Sequence, residues 1–474
     1  MSIIRRSFFW SAVEQIGFQL SNIIIFFVLA RLLEPADFGL IGMMALFVGL
    51  ANLFADSGFS SALIQRKTLS LDDETSVFAL NIIAGLILAI LLYLIAPLVA
   101  QFYNQPILIP LLTVNALIVV ISSLVIVQQS LLQRNMQFKR IAAITTVSTI
   151  ISGGAGILMA YSGFGVWSLL GQSITAVFIR LLLFWSLSPW RPRGRVRLQN
   201  IRSMFGYSVN ILGAQMIGVV YQNMYSVIIG KVYSVENLGY YNRANSLRMI
   251  PVSILIGIVQ RVTFPYFSKH QDDKELLLKS VREIIRSTIF LSASGLTLLI
   301  IIADSLIPLL LTEKWEPIIP FLRILCCAAV ITPISSLNLS TLQALGYAHL
   351  NFKIEMIKMI YGVIVVAVIF RYGINVLAWS VVATAVISYF INVWYSVRLI
   401  GYRWRMQAFD LLPSIILCAG SGGATWWIGL LYSVEPFFMI IIECGIFAAI
   451  LIVGIYFFRN IFFASLWKFI SPLV

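Results

Sequence analysis

The sequence predicts an all-α polytopic membrane protein of about 14 transmembrane helices: two parallel six-helix repeats around a central cavity, followed by two C-terminal helices. Three observations predict it. Of 474 residues, 60% are hydrophobic and only 11% charged, where soluble domains run nearer about 45–50% and about 25%. The apolar residues gather into segments long enough to cross a bilayer, at about 20 residues per helix. The chain also resembles itself at an offset of 200 residues.

In order, the apolar segments lie near 8–33, 38–56, 76–100, 107–131, 141–160, 164–188, 205–230, 247–267, 284–311, 318–342, 352–370, 374–397, 412–432 and 437–457. The first begins behind Arg5 and Arg6 and lacks a small-residue cleavage site, so it reads as a retained span rather than a leader. Cys326, Cys327, Cys418 and Cys444 all fall in predicted spans, which excludes a disulfide framework or a CxxC metal site. His270 and His349 fall in loops and leave no histidine relay in the membrane.

The net charge of +14 raises the question of nucleic acid, and the placement of the charges answers it. With a cytoplasmic N-terminus, 22 of the 33 Lys and Arg fall in cytoplasmic loops and tails, 5 in outer loops and 6 in spans. That is the positive-inside asymmetry. It places both termini in the cytoplasm, gives no role to nucleic acid, and fits a multi-pass membrane protein in contact with membrane lipids.

Residues 30–44 (ARLLEPADFGLIGMM) align with 230–244 (GKVYSVENLGYYNRA), so that Arg31 meets Lys231 and Gly39 meets Gly239. At the same offset Gln15 meets Gln215 and Asn22 meets Gln222; later, Trp167-Ser168 resembles Trp379-Ser380. Six predicted spans separate equivalent points, an even number, so the halves enter the membrane in the same direction and place a substrate path at the repeat interface. The expected organisation is residues 1–190 as the first bundle, 191–204 as an Arg-rich cytoplasmic linker, 205–400 as the second bundle, and 401–474 as two further helices with a cytoplasmic tail.

Helix 1 carries Glu14, Gln15, Gln19 and Asn22, and helix 7 repeats part of that pattern with Gln215 and Gln222. At about 100° per residue these fall largely on one stripe, which faces protein or water rather than lipid. The stripe lines a cavity or glues helices by hydrogen bonds. An arginine in a membrane helix costs about 2.5 to 3.5 kcal/mol, so Arg180, Arg248, Arg261 and Arg323 need a reason. They are candidates for a cationic path that takes an anionic head group, since a guanidinium fork holds two phosphate oxygens at once. Arg286 reads as snorkelling, and Lys358 as a partner of Glu355 one turn away. Glu14, on the polar stripe, is the candidate for coupling transport to protons or sodium. No organic cofactor and no metal centre is expected. SGGAG at 152–156 and GSGG at 420–423 sit inside spans and read as close helix packing.

The stretches FADSGFSSALIQRK at 54–67, YYNRANSLRMIP at 240–251, QRVTFPYFSKHQDD at 260–273 and EKWEPIIPFLRILC at 313–326 resemble the polysaccharide-transport branch of the multidrug/oligosaccharidyl-lipid/polysaccharide exporter superfamily. Within it, the resemblance points to the colanic acid exporter group of lipid-linked oligosaccharide flippases and covers the first twelve helices. It implies two six-helix bundles in a V around a cavity, working by alternating access. The implied substrate is an oligosaccharide repeat unit on polyprenyl pyrophosphate, and the implied associates are other polysaccharide assembly proteins. A cation-coupled drug exporter of the same superfamily is the nearest rival, and net-positive spans argue against it. A membrane polymerase or ligase would need acid or base groups on a substantial outer loop.

Overall fold

The structure is a computed structural model that describes residues 21–56, 58–66, 68–269, 273–431 and 434–457. Every regular element among the described residues is helical. Ten described stretches are long and apolar enough to cross a membrane, and Ser21–Leu32 is a shorter apolar helix. Their outward residues, such as Leu98, Leu158, Ile416 and Ile452, are exposed apolar side chains, the pattern of helices that use lipid as solvent. The chain is a multi-pass membrane protein. By contacts it forms two compact units, residues 1–239 and 240–474.

The first unit contains α1 (Ser21–Leu32), α2 (Pro35–Asp56), α3 (Phe59–Gln65), α4 (Leu71–Tyr103), α5 (Leu108–Ser123), α6 (Ile126–Arg134), α7 (Phe138–Tyr161), α8 (Trp167–Leu187), α9 (Leu198–Val232) and the first turn of α10 (Val235–Lys269). The start of α4 is written in its sequence. Ser70 Oγ accepts from Asp73 N–H at 3.1 Å, and Asp73 Oδ2 accepts from Ser70 N–H at 3.0 Å. This reciprocal box satisfies two donors that the helix leaves open, and Asp72, Asp73 and Glu74 meet the positive end of its dipole. The helix stops at Asn104 in the left-handed conformation, φ 55°. Beneath it, Phe59, Leu63, Val77, Phe78, Val127 and Leu131 form a buried cluster. Gly153 admits Ile25 of α1, and Gly156 admits Gln172 of α8, so the small residues at 152–156 serve close helix packing.

The second unit holds the rest of α10, then α11 (Lys274–Ile301), α12 (Ala303–Leu311), α13 (Ile318–Ala329), α14 (Thr332–Ala344), α15 (Ala348–Ile369), α16 (Ile374–Ile400), α17 (Trp404–Gly429) and α18 (Pro436–Phe457). Asp273 caps α11 by accepting from Leu276 N–H at 3.0 Å. Phe267, Leu277, Ile285, Leu337, Tyr389 and Tyr402 belong to its core, and Gly422 lets α17 approach Thr297 of α11. Three predicted spans are two helices each: 107–131 is α5 and α6 in the first unit, and 284–311 is α11 and α12 and 318–342 is α13 and α14 in the second. Pro333 sits in the first turn of α14, where a missing N–H costs nothing.

Ten stretches meet the length and apolarity of a span among the described residues; α9, α10 and α15 are helical where segments were expected, and half of the first segment lies outside the described residues. Two sequence expectations change here. The outer loop expected at 231–246 shrinks to Tyr233 and Ser234, because α10 starts at Val235 and carries Arg243 within a helix. Hydropathy cannot see a helix whose end is polar. The linker expected at 191–204 ends early, since α9 begins at Leu198.

Candidate functional site

In the first unit, α8 presents Arg180 half-buried, with its Nε enclosed and lacking a hydrogen-bond partner among the described residues. Of the polar stripe, Glu14, Gln15 and Gln19 lie outside the described residues. Asn22 is half-buried in the first described turn of α1, while Gln215 and Gln222 are exposed on α9. Those two are seven residues apart, hence on one helix face, and the nearby Asn223 turns its amide back onto Val219 O at 2.8 Å.

In the second unit, Arg248 of α10 donates from Nε to Asn245 Oδ1 at 2.8 Å and from Nη1 to Leu325 O at 3.1 Å. Both acceptors are neutral, and no carboxylate pairs with it among the described residues. Its positive charge is therefore oriented but uncompensated. Arg261 lies on the same helix about 20 Å further along by helical rise; its side chain lies outside the described residues. Arg323 of α13 differs from both: its Nη2 meets Asp304 Oδ2 at 2.5 Å and its Nε reaches Ile300 O at 3.4 Å. Arg323 also lines a cavity of about 530 Å³ between α11, α13 and α17, otherwise walled by groups such as Thr297, Cys327, Cys418 and Trp426. Lys358 donates to Glu355 Oε1 at 2.8 Å, the pair the spacing predicted.

Two ionic clusters stand out that the sequence did not reveal as such. In the second unit, Asp410 of α17 is buried and held by two arginines of α11. Arg282 Nε donates to Asp410 Oδ2 at 2.8 Å and its Nη2 to Oδ1 at 3.0 Å; Arg286 Nε donates to Oδ1 at 2.8 Å. Arg286 is thus an anchored partner, not a snorkelling side chain. Tyr402 donates to Asp410 Oδ2 at 2.8 Å, and burial followed by the carboxylate's charge pushes its phenol up from the ordinary value, which keeps it a donor. Arg282 and Arg286 are four residues apart and so share a face; that spacing was the available signal, but the loop position assigned to Asp410 hid its partner.

In the first unit, the Arg-rich linker lies extended along the start of α4. Gly194 N–H donates to Thr75 Oγ1 at 3.0 Å, Arg195 N–H to Asp72 Oδ1 at 2.8 Å, and Arg197 N–H to Ser76 Oγ at 2.9 Å. Arg197 Nε pairs with Asp72 at 2.8 Å, and Trp190 Nε1 donates to Glu74. The acidic first turn of α4 thus takes the charge of one linker arginine, Arg197, and otherwise holds the linker through its backbone amides.

A family model described as "Polysaccharide biosynthesis protein" matches residues 28–320. The teichuronic acid biosynthesis protein TuaB of Bacillus subtilis is 25% identical over 91% of this chain and 89% of its own length. The lipopolysaccharide biosynthesis protein WzxC of Escherichia coli is 25% identical over 74% of this chain and 71% of its own. Among solved structures, the lipid II flippase MurJ in an inward closed conformation superposes with a TM-score of 0.78, covering 95% of this chain and 99% of MurJ at 15% identity. At that identity the likeness speaks for the fold.

Proposed function

Since the chain belongs to the polysaccharide biosynthesis protein family, we propose that it is a lipid-linked oligosaccharide flippase rather than a catalyst. In this reading it carries repeat units on polyprenyl pyrophosphate across the bacterial inner membrane by alternating access, for exopolysaccharide, capsule or lipopolysaccharide assembly. Both termini are cytoplasmic, and the fourteen helices divide into two six-helix repeats plus a C-terminal pair. The observation that carries the reading is Arg248: a guanidinium oriented by two neutral acceptors inside a membrane protein, with its charge uncompensated. A pyrophosphate offsets that charge, and a guanidinium binds it through two oxygens. Arg180, with its unbonded Nε, supports the same reading, and Arg261 extends it along α10. Gln215 and Gln222 suit the glycan, which needs hydrogen-bonding partners more than charge.

The two-fold repeat is supported by paired breaks, α5/α6 and α13/α14, and by glycines at equivalent positions 39 and 239, each pressed against the other segment's backbone. Glu14 is the proposed coupling group for protons or sodium. A drug exporter moving hydrophobic cations calls for surplus carboxylate along the substrate path, whereas the groups proposed to line it here, Arg248 and Arg180, are guanidiniums without a carboxylate partner among the described residues.

The test is deletion of the gene followed by analysis of polyprenyl-linked intermediates. Complete repeat units accumulating in the cytoplasmic leaflet support the flippase. Unpolymerised units accumulating in the outer leaflet would sink it in favour of a polymerase.

A further inference from the structure

Helix α18 is apolar almost throughout, with a single carboxylate, Glu443. That side chain is 6% exposed, and its Oε2 is buried with no hydrogen-bond partner among the described residues. Its other oxygen faces Gly429 of α17, where a methyl group would lie 3.4 Å from Oε1. Hydrocarbon offers neither oxygen a donor, and an ionised carboxylate left so is among the costliest arrangements a membrane protein can hold.

The charged groups around it are few. From α12 comes Asp304, from α13 Arg323, and both act on Glu443 electrostatically; on its own helix the neighbour is the Cys444 thiol. The charged residues of α17, Arg405 and Asp410, lie at the far end of that helix, its Cys418 thiol lines the cavity, and α11 places its last charged residue, Arg286, on Asp410. Arg323 already donates to Asp304 and to Ile300 O. Two carboxylates against one guanidinium leave a surplus of one negative charge, and that charge sits on the group without a hydrogen-bond partner.

We infer that Glu443 is a proton-binding site of this chain. One proton added to Oε2 balances the charge of the trio and supplies the missing donor. A metal cation is the poorer fit, because no group of three or more His, Cys, Asp or Glu able to hold one occurs among the described residues. When the proton leaves, the Glu443 carboxylate competes with Asp304 for Arg323. That arginine lines the cavity between α11, α13 and α17, so proton occupancy at Glu443 sets the shape of the cavity wall. Coupling of this proton to transport rests on the flippase reading; the proton site itself does not.

Cys327 lines the same cavity and is exposed, which makes it the reporter. In a chain whose other cysteines are replaced by serine, reconstituted in lipid nanodiscs without glycolipid, the rate of Cys327 alkylation by N-ethylmaleimide is followed against pH. The expected profile is thiol ionisation plus a second step, and Glu443→Gln loses that second step while Glu443→Asp keeps it at a displaced pH. Infrared spectra are expected to lose a protonated-carboxyl band in Glu443→Gln. Identical alkylation profiles in the parent and Glu443→Gln, with an unchanged infrared band, overturn the site. A second step that moves when sodium replaces potassium also overturns it, in favour of a sodium site. Because no substrate is present, these outcomes are independent of the gene-deletion experiment.

Discussion

Gly39 of α2 lies directly against Val235 at the start of α10, so closely that a methyl group at position 39 would run into the Val235 carbonyl oxygen. The relation is reciprocal, since a methyl group on Gly239 would run into the carbonyl oxygen of Pro35. Both contacts lie within the first compact unit, and positions 35 and 235, like 39 and 239, are 200 residues apart. Only a residue without Cβ lets two helix ends approach backbone to backbone.

Two effects therefore oppose each other when either glycine becomes alanine. Helix propensity favours alanine by about 1 kcal/mol, while overpacking costs about 1–3 kcal/mol. Against rigid backbone the second wins, so Gly39→Ala and Gly239→Ala should each lower the apparent melting temperature in detergent micelles. Gly154→Ala is the control: it lies in α7 with nothing near its added methyl, and it should be neutral or stabilising. A rise in stability for Gly39→Ala and Gly239→Ala equal to that of Gly154→Ala would refute the close approach.

The Asp410 cluster predicts an asymmetry between its members. Removing Asp410 strands two guanidiniums at once; breaking a buried pair costs about 3–5 kcal/mol, and because each arginine is about a third exposed, solvent takes up part of that loss. Removing one arginine leaves the buried carboxylate still bonded to the other arginine and to Tyr402, so it strands no charge. Asp410→Ala should thus destabilise far more than Arg282→Gln or Arg286→Gln in denaturant titrations. Equal effects from all three would show that the cluster does not act as a shared pair.

What the sequence could disclose follows from the range of each interaction. Apolar run length located the helices because a bilayer imposes it residue by residue, and the Glu355–Lys358 pair was legible because both partners share one turn. The match of Asp410 with Arg282 and Arg286 spans more than 120 positions, and no local pattern carries it. Arg323 looked like a free cation for the same reason: Asp304 stands 19 residues away on another helix. The polar helical start of α10 was read as a loop, since a hydropathy window registers transfer to lipid and not helix formation.

The linker offers a proteolytic prediction. Gly194 packs so tightly on the start of α4 that a methyl group there would strike the Leu71 carbonyl group, and the neighbouring amides are bonded to Asp72, Thr75 and Ser76. Trypsin needs an extended, mobile segment, and a bonded one resists it. Gly194→Ala should lift the strap and accelerate cleavage after Arg193 and Arg195, splitting the chain into two large fragments. Unchanged cleavage kinetics would mean that the strap does not depend on this contact.

Arg248 separates charge from geometry. If it binds pyrophosphate through a two-pronged fork, Arg248→Lys keeps the charge but loses the second prong and the bonds to Asn245 and Leu325. A hydrogen bond to a charged group contributes about 1.5–3 kcal/mol, so Arg248→Ala should reduce export of the repeat unit by about 10- to 100-fold at normal protein levels. The lysine variant should fall between alanine and the parent. Asn245→Ala, which removes only the acceptor that aims the guanidinium, should give a smaller loss of the same kind. Full export by Arg248→Ala would remove Arg248 from the substrate path and leave Arg180 and Arg261 to carry it.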